Sequence, residues 1–238
     1  MWSQLLDSLF PSFCEFCRCQ LDQGRNLCPD CLDALPRLTP PFCDRCGEHF
    51  DGQIDNNFTC PNCHDIHFDF DFARAPLTLN EQSLHLIHQI KYQRQFFFAR
   101  DLAPLLAELL RSDPALNHLQ DALLVPVPLH PNRQRHRKRN QAEEIARALA
   151  SHCDFPLLPA LKRTRHTTTQ TRLNRSQRLK NLKGAFAIRP RHLPRLRQAT
   201  VILIDDVFTT GSTLQECAKT LRYDGKAAKI IALTLARG

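Results

Sequence analysis

Four consecutive aliphatic residues, Val201 to Ile204, stand between polar flanks and predict a parallel strand covered on both faces. Asp205 and Asp206 follow, then a small polar loop over Thr209 to Thr213, after which Leu214, Cys217, Ala218 and Leu221 recur at helical spacing as one apolar stripe. Strand, polar loop and helix are therefore expected in succession. A second unit of this kind lies upstream. Ala122 to Pro128, ALLVPVP, predicts a buried strand ending in a rigid turn, and Ala142, Ile145, Ala146 and Leu149 predict the buried stripe of a helix. Asn140 should cap that helix, with Glu143 as its reciprocal partner. Two more helices are predicted between Phe72 and Asp121, and a last strand over Lys229 to Leu235. The stretch from Leu161 to Phe186 has no apolar period until a short helix near Ser176 to Leu182, which predicts a mobile basic loop over the site. Alternating strands and helices point to an α/β fold with a parallel sheet and helices on both faces over residues 71–238, preceded by a small unit over residues 1–70.

The chain has 238 residues, with 42% hydrophobic and 24% charged residues, enough to bury a core and to exclude wholesale disorder. No run approaches the length of a membrane span. The start, MWSQLLDSLFPSF, lacks the basic residues, long apolar run and cleavage site of a secretory signal, so a cytoplasmic, reducing location is expected. The net charge of +8 is unevenly spread: residues 1–70 hold four Lys/Arg against eleven Asp/Glu. The fifty residues from Phe155 to Ile204 hold twelve Lys/Arg and no acid, and Arg133, Arg135, Arg137, Lys138 and Arg139 form a second basic run. Such surfaces attract the phosphates of a nucleotide or of a nucleic acid.

Eight of the eleven cysteines form four Cys-x-x-Cys pairs: Cys14 and Cys17, Cys28 and Cys31, Cys43 and Cys46, Cys60 and Cys63. In a reducing compartment, paired knuckles at this spacing bring four thiolates around a tetrahedral zinc. Two zinc ribbons in series are the simplest arrangement, although four pairs can combine in three ways and Cys19 could compete as a ligand. His49, His64 and His67 are left to the surface or to supporting roles. So few large apolar residues cannot hold such a segment folded, so two structural zinc ions should supply its folding free energy. The acidic unit is expected to dock on the basic one.

At Asp205 to Thr213 the chemistry is that of a phosphate. Loop amides and the hydroxyls of Thr209, Thr210, Ser212 and Thr213 converge at a helix N-terminus, and Gly211 permits close backbone approach. Asp205 and Asp206 would repel a phosphate, so they suit sugar hydroxyls or the water shell of a metal. VILIDDVFTTGST resembles the phosphoribosyl pyrophosphate motif of type I phosphoribosyltransferases. The resemblance implies a type I phosphoribosyltransferase-like sheet, Asp205 and Asp206 on the ribose hydroxyls, Thr209 to Thr213 on the 5-phosphate, and Mg²⁺ bridging ribose and pyrophosphate oxygens. It also places pyrophosphate at the loop carrying Arg133, Arg135 and Arg137. Lys91 is a further candidate for pyrophosphate or a DNA backbone.

Nearly the whole chain resembles the ComF/GntX family: the double zinc ribbon, HQIKYQ, VPVPLHP with NQAEEIARAL, TTTQ, RLKNLKGAF, the motif above and the closing LTLAR. Lys91 and Tyr92 fall on that family's lysine-tyrosine pair, Gln170 and Asn181 on its polar loop positions. Where relatives usually have Arg-Gly-Phe-Asn-Gln, this chain has Arg137, Lys138, Arg139, Asn140 and Gln141, which adds charge and loses a tight turn and a stacking ring. The resemblance implies a role in competence, DNA uptake or the use of external DNA as a nutrient, with single-stranded DNA and uptake-machinery proteins as partners.

Two functions remain open. One is a binding protein that holds phosphoribosyl pyrophosphate or a nucleotide with Mg²⁺ while handling incoming DNA. The other is a salvage phosphoribosyltransferase, in which an acceptor nitrogen attacks ribose C1 as Mg-pyrophosphate leaves. No stretch is recognisable as the element that would read an acceptor base.

Overall fold

The run Val201–Ile204 lies inside one of the two longest strands of the protein, whose computed structural model describes residues 12–21, 24–52, 54, 58–64, 66–93, 95–130, 139–165 and 181–238. In chain order the elements begin with β1 (Ser12–Phe13), β2 (Gln20–Leu21), α1 (Pro29–Asp33) and α2 (Pro61–His64). Then come β3 (Phe72–Arg74), β4 (Leu77–Thr78), α3 (Glu81–Tyr92), α4 (Phe98–Ser112), β5 (Leu123–Pro126) and α5 (Gln141–Ala150). The hairpin of β6 (Leu161–Arg163) and β7 (Phe186–Ile188) precedes a short helix α6 (Leu193–Leu196), then β8 (Thr200–Phe208), α7 (Ser212–Tyr223) and β9 (Lys229–Arg237).

The main sheet runs β3, β9, β8, β5 with every pair parallel, and β4 continues the line of β3 along β9. Its central strands are aliphatic on both sides because both sides are covered. Ile202, Ile204, Ile231, Leu233 and Leu235 pack with Leu86 of α3, Leu102 of α4 and Ile145 of α5. Val201, Leu203, Ile230 and Ala232, the alternate positions, pack with Leu214, Cys217 and Leu221 of α7. Each such fully buried aliphatic side chain stabilises the fold by about 1.5–3 kcal/mol. The stripes expected on α5 and α7 are buried as predicted.

The two ends of the ribbon segment join different sides of this sheet. Cys14, Leu27, Cys28 and Leu35 belong to the cluster of α3, α4 and α5, whereas Cys43, Cys46, Cys60 and Cys63 join Phe68, Phe70 and the α7 side. Polar contacts pin each end. Asn26 donates to Asp101 of α4 from its backbone N–H at 3.2 Å and its side chain at 3.0 Å. On the other side Asp69 and Gln215 of α7 exchange bonds of 2.8 and 2.6 Å. Docking is carried by apolar contact together with polar pairs: Glu15 with His85 at 2.9 Å and Glu48 with Arg237 at 3.3 Å run from ribbon acid to base as expected, and Arg37 with Glu108 at 3.3 Å runs the other way.

Three local expectations need correction. The strand at Val201 extends through both acids to Phe208, because β9 offers partners as far as Arg237. The last strand likewise continues beyond Leu235 to Arg237. Asn140 stands at the helix start without capping it: its amide donates to the Val127 carbonyl at 2.9 Å, and Glu143 pairs with Arg147 at 3.0 Å instead. The buried bond to Val127 fixes the turn after β5 at the cost of the capping box. The basic loop at residues 166–180, with Gln170, lies outside the described residues. No helix among the described residues is long and apolar enough to cross a membrane.

Candidate functional site

The cysteines gather into two groups in chain order, uncrossed: Cys14, Cys17, Cys28 and Cys31, and Cys43, Cys46, Cys60 and Cys63. Within each group the sulfur atoms all lie within 4.8 Å of one another, the spread that a tetrahedral zinc with bonds of about 2.3 Å needs. Cys17 and Cys28 sulfurs are 3.6 Å apart, as are those of Cys46 and Cys60. Backbone N–H groups of Cys28 and Cys60 donate to the sulfurs of Cys14 and Cys43 at 3.4 and 3.3 Å, the amide-to-sulfur bonds that stabilise thiolates. Burial opposes ionisation of Cys14, but amides of Cys28, Cys17 and Phe16 hold its thiol down at about 6. Both groups are thus built to receive a cation. Cys19 and the three nearby histidines belong to neither group, and Cys19 is exposed.

Asp205 and Asp206 stand near the end of β8, four and three residues ahead of Thr209, where the loop begins. The Asp205 carboxylate accepts from the Asp206 N–H at 2.9 Å. Burial above all, reinforced by the charge of Asp206, pushes the Asp205 carboxyl up to about 7, against the pull of Lys91 and Arg163. Lys91, at the end of α3, reaches Asp206 Oδ1 at 2.9 Å with side-chain exposures of 21% and 7%. Burial acts to lower its ammonium, yet Asp206 and Asp205 hold it above the ordinary lysine range. The Lys91 ammonium is thus seated on the carboxylate of Asp206 rather than in open solvent. The other oxygen, Asp206 Oδ2, is buried and has no hydrogen-bond partner among the described residues.

Beyond the acids, Gly211 takes φ of 71° and leads into α7, with Thr210 and Ser212 hydroxyls 3.0 Å apart. A Cβ on Gly211 would lie 2.6 Å from Cζ of the Phe208 ring. Left-handed backbone and that ring together require glycine. Gly211→Ala is expected to cost about 1–3 kcal/mol in urea unfolding; a change below about 0.5 kcal/mol would show that the turn relaxes freely. Thr209 is exposed, Thr210 and Thr213 half-buried, and Ser212 buried.

One residue that sequence reasoning passed over ties the two sites together. Arg237 ends β9 and its guanidinium donates to the carbonyls of Phe208 and Thr209, each at 3.2 Å, and to the carbonyl of Cys46 at 3.0 Å. Only the closing LTLAR pointed to it, as a charge ending an apolar strand. Arg133, Arg135 and Arg137 lie outside the described residues. Of the acid-free stretch, Lys162, Arg165, Lys183, Arg189, Arg191, Arg195 and Arg197 are exposed, and none pairs with a carboxylate among the described residues.

Comparison with known proteins agrees with this division. The family described as Double zinc ribbon domain matches residues 5–66. Competence protein F of Haemophilus influenzae is 35% identical over 217 residues, covering 89% of this chain and 91% of its own. DNA utilization protein YhgH of Escherichia coli K12 is 31% identical, with 92% of this chain and 94% of its own covered. Competence protein ComFC of Bacillus subtilis is 32% identical over 115 residues, 48% of this chain and 44% of its own. A solved structure titled as the allosteric regulatory enzyme of purine biosynthesis reaches a TM-score of 0.39 at 13% identity, over 62% of this chain and 30% of that one, too slight to support an assignment.

Proposed function

Since the chain belongs to the ComF family of competence and DNA utilisation proteins, we propose that it binds phosphoribosyl pyrophosphate, or a nucleotide phosphate, with Mg²⁺ at the β8 to α7 turn while handling incoming single-stranded DNA or its products. One observation carries this reading: Asp206 keeps one oxygen on Lys91 and the other buried with no donor among the described residues, five residues before Gly211 at the start of α7. A ribose hydroxyl or a water on Mg²⁺ supplies that missing donor. Mg²⁺ would neutralise pyrophosphate oxygens; Asp205 and Asp206 would hold its water shell or the ribose, and Thr209, Thr210, Gly211, Ser212 and Thr213 the 5-phosphate. Arg133, Arg135 and Arg137 are proposed for pyrophosphate or the DNA backbone. Lys91 is assigned to holding the acid pair. Residues 1–70 are proposed as the metal-held unit and residues 71–238 as the ligand-binding one.

The acid-free basic surface supports the DNA half of the proposal, since seven exposed cations without carboxylate partners among the described residues suit a phosphate backbone. The acid pair, Asp206 buried and Asp205 partly so, favours the second reading, a phosphoribosyltransferase, because a groove for DNA alone has no use for two carboxylates. Both readings share the ligand and differ in turnover.

Calorimetric titration of the full chain with phosphoribosyl pyrophosphate and Mg²⁺ tests the shared step. Asp206→Asn is expected to weaken binding by about 100-fold, since a charge-assisted acceptor is lost. Because bound Mg²⁺ and a proton compete for Asp205, affinity should rise with pH and level off above about 7. In the ligand-free protein the sign is opposite: the folded state holds that proton more tightly than a carboxyl at 3.8, so stability falls as pH rises from about 4 to about 7. Equal binding by wild type and Asp206→Asn would remove the proposal. Pyrophosphate release with a panel of bases, beside single-stranded DNA binding over a salt series, then separates transferase from binding protein.

A further inference from the structure

The second cysteine group and the phosphate turn share one wall. A cleft of about 210 Å³ lies between them, lined by Cys46, Asn62, Cys63, Phe68, Thr209 and Arg237 among others. Arg237 spans it with every edge of its guanidinium engaged. Nε donates to the Cys46 carbonyl at 3.0 Å, and Nη1 donates to the Phe208 and Thr209 carbonyls at 3.2 Å. Nη2 donates to the Cys46 sulfur at 3.6 Å and to Glu48 Oε2 at 3.3 Å. The same group lies 4.6 Å from the centroid of the Phe208 ring, the ring that fixes how closely Gly211 can approach. Phe208 in turn meets Phe70 and Phe68 at 6.0 and 6.3 Å, and those two rings continue the chain out of the second ribbon. The first group has no such link among the described residues; its segment is tied to α3 and α4 through Glu15 with His85 and Asn26 with Asp101.

We propose that Arg237 is a positioning residue through which metal in the second cysteine group sets the conformation of the phosphate turn, so that anion affinity there depends on that metal and is indifferent to metal in the first group. A planar fork with five donors needs fixed acceptors to hold a fixed plane. When metal holds Cys46, its sulfur and carbonyl are pinned, and Arg237 carries that placement to the carbonyls of Phe208 and Thr209, as donors beside a metal site do for its ligands. When the group is empty, Cys46 moves, the fork loses two of its acceptors, and the turn loosens. Linkage makes the effect mutual: a ligand on the turn retains the second metal by the same factor.

The consequence for affinity rests on the turn being the anion site, whereas the coupling itself does not, so two readouts are taken on the full chain. The first is amide exchange over residues 208–213 without any ligand, in wild type, Cys17→Ser and Cys60→Ser, with metal content measured for each. Exchange there is expected to quicken about tenfold in Cys60→Ser and to stay within twofold in Cys17→Ser. The second is binding of phosphoribosyl pyrophosphate with Mg²⁺, expected to weaken about tenfold in Cys60→Ser alone. In an Arg237→Met background, Cys60→Ser should add less than twofold to either readout, while Arg237→Lys restores part of the coupling. Graded chelation of wild type replaces the variants if Arg237→Met fails to fold. Unchanged exchange on loss of the second metal, or full coupling without Arg237, overturns the proposal. Exchange that follows the metal in a protein that never binds the ligand supports the coupling and rejects the ligand.

Discussion

Stripping metal from the two cysteine groups is expected to lower the melting temperature by roughly 15–30 °C, and to do so on both faces of the sheet together. Structural zinc contributes apparent free energies of about 10–16 kcal/mol in isolated ribbons. If about 7 kcal/mol of that is lost from a chain of this size, the shift follows at about 2–4 °C per kcal/mol. The reach of the effect comes from packing. Cys14 and Cys28 are part of the apolar cluster that includes Leu86 and Leu102, and all four cysteines of the second group are part of the cluster that includes Leu203 and Leu214. Freed thiols would leave buried groups in both clusters without the ion that fixes them. Calorimetry with and without chelator measures the shift, and amide exchange locates it. If residues 12–64 lost protection while β8 and β9 kept theirs at an unchanged melting temperature, the ribbons would be an appendage and this expectation would be wrong.

The parts of the molecule that could be read from sequence are those whose physics is local. Cys-x-x-Cys spacing gave the four cysteine pairs, since a knuckle needs no distant partner to be recognised, while their uncrossed grouping came from the fold. The run from Val201 to Leu221 showed strand, turn and helix because burial on both faces, a glycine and a helical stripe lie side by side. What escaped depends on contacts far apart in sequence. Lys91 was legible as a cation for phosphates, but its pairing with Asp206 depends on where α3 packs. Arg237 looked like the last residue of a strand, yet its bonds reach back to Cys46, 191 residues earlier. The acids seemed to follow the strand, but register with β9 sets Asp205 opposite Thr234 and keeps the ladder running to Phe208. Asn140 had the right spacing for a capping box and was diverted by a buried carbonyl at Val127. In each case the local rule was sound and a tertiary partner outbid it.

Lys91→Met is expected to destabilise the protein by about 3 kcal/mol at pH 8, a larger effect than most single substitutions produce. The cation gains from Asp206 at 2.9 Å, and its removal leaves that carboxylate, 7% exposed, beside Asp205 without its ion-pair partner. The value belongs at the lower end of the range for buried pairs because the Lys91 side chain keeps 21% of its surface exposed. Loss of the ammonium also removes the stronger of the two cations, Lys91 and Arg163, that oppose the rise of the Asp205 carboxyl, so Asp205 should retain its proton to higher pH than it does now. The penalty should therefore shrink as pH falls from 8 towards 5, where protonation replaces the lost charge. Asp206→Asn in the same chain should recover much of the loss, giving a double-mutant coupling of about 2–3 kcal/mol. Urea unfolding of the four proteins at two pH values measures all of this, and a Lys91→Met cost below about 1 kcal/mol, flat with pH, would falsify it. The contrast with binding completes the case. Asp206→Asn rescues folding in the Lys91→Met background and should still bind phosphoribosyl pyrophosphate poorly, because what stabilises this strand end without ligand is the opposite of what a ribose or Mg²⁺ asks of it. A buried Asp206 beside a partly buried Asp205, steadied by Lys91, should cost stability that the Lys91→Met and Asp206→Asn proteins measure.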